Sequence, residues 1–153
     1  ALDVACGAGR NAILLAQTGY QVDAIDISRV GLDLGRREAE QQRLSINWIE
    51  QDLDEPTQFN KEYELIIVMW YVNNGLISRL CDSLAPGGYL VCVEHLITDM
   101  QVIGPTSTNY RVAPGELLAV VSGLDVILYE ESIDLNSTGE RVASARVVAK
   151  NSS

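Results

Sequence analysis

Basic residues are scarce in this chain. Against 21 Asp and Glu stand 11 Lys and Arg over 153 residues, a formal net charge of −10. A protein that grips a phosphate backbone needs a basic face, and no Lys/Arg cluster exceeds Arg36-Arg37, so nucleic acid is disfavoured as a partner. Cysteine is also sparse: Cys6, Cys81 and Cys92 lack C-x-x-C spacing, which argues against a disulfide framework and a zinc site, and no metal is expected. Long hydrophobic runs are missing. The longest, from Leu65 to Val72, is too short to span a bilayer, so no membrane association is expected. The N-terminal residues carry no charged start, apolar stretch and cleavage site of a secretory signal, so a reduced cytoplasm is the expected location. Asn136-Ser137-Thr138 matches a glycosylation sequon, but without an export signal it reads as a turn.

What is present is an α/β pattern. Apolar runs alternate with helical stretches, which predicts a mostly parallel sheet with helices on both faces. Strands are expected at about 1–5, 21–26, 46–50, 63–69 and 88–95. Helices are expected at 9–18, closed by Gly19; from a Ser28 cap to about 43, weakened by Gly31 and Gly35; at 74–83; and after Pro114, placed in the first helical position that it tolerates. A polar loop without clear period covers 98–111. The runs 124–129 and 142–149 flank Asn136-Ser137-Thr138-Gly139, which predicts a terminal antiparallel hairpin and a seven-stranded Rossmann-like sheet. The length fits one domain over residues 1–153. Ala1 lies inside the first strand and no initiator Met precedes it, so the chain is expected to lack its N-terminal segment.

The most informative stretch is Leu2-Asp3-Val4-Ala5-Cys6-Gly7-Ala8-Gly9-Arg10, a strand, a glycine turn and a helix start behind a carboxylate. Glycines permit a tight turn and close approach of a ligand to the backbone, and the helix start offers unpaired N–H groups. Gly7-x-Gly9-x-x-Ala12 fits a dinucleotide fingerprint. Asp3 argues against a diphosphate there, because its charge would repel phosphate and attract an ammonium or sulfonium.

With Asp3, Gly7 and Gly9, the stretch resembles the first motif of the class I S-adenosylmethionine-dependent methyltransferases, with Ala5 in place of one glycine. Further matches follow in order: Asp26 ending the second apolar run, Asp52 after the third, and Leu84-Ala85-Pro86-Gly87-Gly88 before the fifth. The resemblance implies S-adenosylmethionine as cofactor. Asp26 would accept from the ribose hydroxyls, Asp52 from the adenine amino group, and Ile27 and Leu53 would sandwich the ring. Asp3 would face the methionine ammonium through water or backbone, with the carbonyls around Met69 and Trp70 accepting from the same group.

The acceptor side is read from chemistry. Methyl transfer needs a positioned nucleophile and water exclusion, and a base only if the acceptor loses a proton. His95, the only histidine, is the candidate base at the end of the fifth strand, with Tyr71 beside it as a catalytic candidate. Asn73, Tyr110 and Arg111 are candidate substrate contacts. The fourth strand does not end in the [DNS]-P-P-[YF] motif, which leans away from methylation of amino groups on bases and amides. Trp70-Tyr71-Val72-Asn73, the Pro86-Gly87-Gly88 turn and the segment from Asn109 to Leu117 are similar to the small-molecule branch related to tellurite-resistance and thiopurine methyltransferases. The expected function is methylation of a small-molecule acceptor. The alternatives are a nicotinamide-dependent oxidoreductase, against which Asp3 and the hairpin count, and an S-adenosylmethionine-binding protein without turnover.

Overall fold

The computed structural model describes residues 1–56 and 59–152. Its elements run β1 (Leu2–Val4), α1 (Arg10–Gln17), β2 (Val22–Asp26), α2 (Arg29–Gln41), β3 (Ile46–Glu50), β4 (Tyr63–Met69), α3 (Asn74–Cys81), β5 (Leu84–His95), a 3₁₀ turn (Thr108–Tyr110), α4 (Glu116–Val120), β6 (Asp125–Leu135) and β7 (Arg141–Lys150). They form one seven-stranded sheet in the order β3-β2-β1-β4-β5-β7-β6. The first five strands pair in parallel, while β7 runs antiparallel to both β5 and β6. Strand order reverses at β1 and β4, and in such sheets the crevice outside the carboxyl ends at that point receives ligands. The expected fold class is therefore the observed one.

Alternation along the strands divides the core. Leu2, Val4, Ile66, Val68, Leu90 and Cys92 pack with Leu76, Ile77 and Leu80 of α3 and Leu117 of α4. On the opposite face Ala12, Leu15 and Ala16 of α1 meet Val22, Ala24, Ile46 and Trp48. Asp3 lies between Leu2 and Val4 in sequence, so the strand's period of two turns it toward the α1 face.

Several local expectations need correction. Ala5 leaves β1 at φ 55°, a left-handed conformation unusual for a residue with a Cβ. Gly115, not Pro114, stands at the head of α4, where Gly115 is the N-cap and Glu116 the first helical residue; Glu116 Oε2 takes the Ala113 N–H at 2.6 Å, so a side chain secures this start. Gly31 and Gly35 do more than weaken α2. A Cβ at Gly31 would stand 2.9 Å from the Gly7 carbonyl oxygen, and one at Gly35 would stand 2.5 Å from the Trp48 ring, so these glycines let α2 lie against the turn after β1. Asp23, a carboxylate within β2, is buried. It accepts from Asn47 Nδ2 at 2.9 Å, Lys61 Nζ at 2.5 Å and Tyr63 Oη at 2.8 Å.

Candidate functional site

The turn between β1 and α1 is built by spending its own N–H groups. Cys6 N donates to Ile25 O at 3.0 Å and Gly9 N to Cys6 O at 2.8 Å. Gly7 N donates to Asp26 Oδ2 at 2.7 Å, and Asp26 Oδ1 takes Ser28 N at 2.7 Å. One carboxylate at the end of β2 thus ties the glycine turn to the start of α2, and each of its oxygens retains a further lone pair. Gly7 and Gly9 play different parts. At Gly7 (φ +56°) a Cβ would meet nothing within 4 Å, whereas at Gly9 (φ +73°) it would strike the Trp48 ring at 2.3 Å. Gly9 serves packing against Trp48; the open space belongs to Gly7.

Asp3 sits beneath this turn. It is 1% exposed, and its Oδ2 has no hydrogen-bond partner among the described residues. Burial, helped by the charge of Asp26, pushes its pKa up to about 7 against a backbone hydrogen bond from Ala12. Burial together with the Asp3 and Asp26 charges pushes the Cys6 thiol up to about 12, so the cysteine beside the turn stays protonated.

A cavity of about 240 Å³ opens in front, lined by Ala5, Asp26, Ile27, Asp52, Leu53, Asp54 and Tyr71. Here the structure brings together the acid of β2, the loop after β3 and the segment after β4. Leu53, buried in the core, and Ile27, 62% exposed, both belong to this lining. Asp52 Oδ1 takes the Asp54 N–H at 2.9 Å, a local turn that presents both carboxylates. Asp54, which sequence reasoning missed, accepts from Tyr71 Oη at 2.9 Å and Asn73 Nδ2 at 3.5 Å. Burial and this hydrogen bond push the Tyr71 phenol up to about 12, so Tyr71 is a hydrogen-bond donor at neutral pH. Asn73 Oδ1 caps α3 through Leu76 N at 2.9 Å.

Met69 closes β4, and Trp70 follows at φ 64° with its N–H on Val93 O at 2.7 Å. The Trp70 and His95 rings lie 4.4 Å apart between centroids, tilted by 36°. Gly104 (φ +113°) also packs close to His95: a Cβ there would stand 2.9 Å from Nδ1. That nitrogen is buried without a partner among the described residues. An Nδ1–H would be a donor with no acceptor, so the neutral ring is better carried with its proton on Nε2. Burial and the nearby Arg111 charge lower the His95 pKa. Arg111 itself is committed to the loop, donating to Pro105 O at 2.8 Å, Leu96 O at 3.0 Å and Ile103 O at 3.3 Å. It staples the 98–111 segment over His95, while Tyr110 stands 63% exposed on the 3₁₀ turn.

A larger hollow of about 1180 Å³ lies at the opposite, amino-terminal ends of the strands, around Gln21, Asp23, Asn47, Lys61 and Tyr63. It holds none of the motif residues, and its buried carboxylate, Asp23, is already paired with Lys61.

Comparison with known proteins bears on this site. Residues 1–88 match the family described as "Methyltransferase domain". A relative named ubiquinone biosynthesis O-methyltransferase, from Shewanella sp., is 25% identical over 148 residues, covering 82% of this chain and 62% of its own length. Among solved structures, TehB from Haemophilus influenzae superposes with a TM-score of 0.83 at 21% identity over 98% of this chain and 57% of its own. The N-methyltransferase NodS from Bradyrhizobium japonicum, in complex with S-adenosyl-L-homocysteine, superposes with 0.73 at 17% identity, over 99% of this chain and 77% of its own. At those identities the two structures establish the fold. The chain spans less than two thirds of the length of the Shewanella relative and of TehB.

Proposed function

The chain belongs to the methyltransferase domain family, the class I S-adenosylmethionine-dependent methyltransferases, and on that premise we propose that it transfers a methyl group from S-adenosylmethionine to a small-molecule acceptor. The observation that carries this reading is the use of the glycine turn's donors. A diphosphate at a helix start needs free N–H groups; here those of Cys6, Gly7 and Gly9 end on protein oxygens. Around them stand Asp3, Asp26 and Asp52, an environment that favours a cationic ligand and opposes a dinucleotide.

The residues present fit that cofactor. The unpartnered Oδ2 of Asp3 and the open space over Gly7 suit the ammonium end of an amino acid, reached through water or backbone. Asp26 can take the ribose hydroxyls on its spare lone pairs, Asp52 the adenine amino group, and Ile27 and Leu53 the faces of the ring. S-adenosylmethionine supplies a methyl group activated by its sulfonium. The chain's own task is then to place an acceptor and exclude water. Asn73 and Tyr110 stand on the acceptor side, with the 98–111 segment as a wall fastened by Arg111. Tyr71, held protonated, does not take a proton from the acceptor. His95 is the remaining proton-handling group, and with its proton on Nε2 it serves first as a donor. An acceptor that arrives as a thiolate or another soft anion needs only positioning.

Calorimetry with S-adenosylhomocysteine and with NADH tests the reading, followed by a screen of small acceptors with the full-length protein. The expected result is binding of S-adenosylhomocysteine and none of NADH. Binding of NADH in its place would overturn the assignment.

A further inference from the structure

Asp54 lines the 240 Å³ cavity and its carboxylate bonds a second lining residue, Tyr71. It belongs to the loop after β3, and both of its side-chain partners, Tyr71 and Asn73, belong to the segment after β4. That segment is strained where it begins, because Trp70 holds a left-handed backbone conformation that a bulky side chain persists in only where its surroundings over-determine it. Other anchors are the Trp70 N–H on Val93 O, the Trp70 ring on His95, the Tyr71 backbone on the Glu94 carboxyl and the Asn73 cap of α3. The Asp54 bonds supply the restraint from the cavity side.

We propose that Asp54 is a positioning residue that latches the segment after β4 to the loop after β3, so that the adenosine part of the cofactor enters a preformed slot with Asn73 and α3 held in register beside it. The proposal rests on reading the cavity as the adenosine site. It requires no contact between Asp54 and the cofactor. Preorganised walls raise affinity by removing the cost of ordering them on binding, and Tyr71, with its hydroxyl tied to Asp54, is the wall in question. The amide-bearing Asp54→Asn retains an oxygen that can accept both bonds, whereas Asp54→Ala cannot.

The experiment compares the parent chain with Asp54→Ala, Asp54→Asn and Tyr71→Phe, using S-adenosylhomocysteine and adenosine as calorimetric probes and hydrogen exchange over residues 70–73. Asp54→Ala and Tyr71→Phe should each weaken both probes about tenfold, the order of one hydrogen-bond-sized coupling. Exchange at 70–73 should speed up in Asp54→Ala with the thermal midpoint nearly unchanged, and Asp54→Asn should restore most of the affinity and the protection. A Tyr71 phenol that titrates lower in Asp54→Ala would mark the broken bond directly. Affinity within twofold of the parent and unchanged exchange in Asp54→Ala overturn the latch. If the parent binds neither probe, the adenosine reading fails, and exchange at 70–73 still decides whether Asp54 holds the segment.

Discussion

Glu94 should make this protein lose stability as pH rises, by an amount that one substitution can isolate. The side chain is fully buried in β5, its Oε1 lies 3.5 Å from Cys92 Sγ, and its Oε2 has no partner among the described residues. Burial pushes the carboxyl up to about 8, against smaller opposing contributions from the Cys92 thiol and the Tyr71 backbone. A carboxyl whose folded pKa is raised keeps a proton that the unfolded chain has released. Stability is therefore unaffected below the unfolded value and falls until the pH passes the folded one. With an unfolded value near the ordinary ~4.3, raising the pH from about 6 to about 9 should cost roughly 3 kcal/mol at this residue, good only to order of magnitude. Glu94→Gln retains the shape and cannot ionise. Its advantage over the parent should therefore grow by roughly 3 kcal/mol between the lower and the higher pH. Asp3, pushed up to about 7, tilts both proteins alike and cancels in the difference. Urea unfolding of the pair across this range is the assay, and parallel stability profiles would refute the claim that Glu94 is buried and protonated at neutral pH.

Gly9→Ala combines a left-handed backbone with a Cβ 2.3 Å from the Trp48 ring and should cost about 2–4 kcal/mol, while Gly7→Ala, with space around it, should cost about 1–2 kcal/mol; equal urea midpoints would show that Trp48 is not what requires Gly9. Asp26→Ala should weaken S-adenosylhomocysteine binding about tenfold to a hundredfold by calorimetry, with some loss of thermal stability because Gly7 N and Ser28 N lose their acceptor. Burial works to raise the Asp23 pKa, but hydrogen bonds from Lys61, Asn47 and Tyr63 hold it below the ordinary carboxylate value. Its contribution to stability is thus present above about pH 4 and lost as pH falls through the folded value, so Asp23→Asn should be less stable than the parent at neutral pH and show a flatter acid limb in a thermal-midpoint series.

What the sequence discloses here is local. The runs at 46–50 and 63–69 predict β3 and β4 with the observed bounds. The Asn136 to Gly139 turn predicts the hairpin that the register of β6 and β7 displays. What it conceals is long-range pairing. Asp23 meets partners 24 to 40 positions away, so nothing beside it in the chain marks it as buried. Asp54 and Tyr71 are 17 positions apart and adjoin only once β3 and β4 flank the crevice. Arg111 reads as a free cation for substrate until its loop folds and offers three carbonyls. One signal was readable: Gly31 and Gly35 lie on one face of a helix four apart, a spacing that marks close approach as well as weak propensity, and here the approach is to the Gly7 carbonyl and to Trp48.

The strand, glycine turn and helix that open this chain can serve ligands of opposite charge, and Asp26 alone cannot separate them, since an acid in that position suits the ribose of a dinucleotide as well. Discrimination comes from the donors. A turn that leaves its N–H groups free is an anion site by default; one that closes three of them on Ile25 O, Cys6 O and Asp26 Oδ2 has given up part of that capacity. Asp3 extends the argument, because the Ala12 backbone hydrogen bond beneath the helix start is directed at an internal carboxyl, in place of any phosphate. Since the Asp3 pKa lies near neutrality, a cation brought close to it should drive its proton off. Binding of an ammonium-bearing cofactor should then release protons near pH 7, and uptake or release measured in buffers of different ionisation enthalpy would register the coupling; binding with no proton exchange across that range would remove Asp3 from the cofactor site.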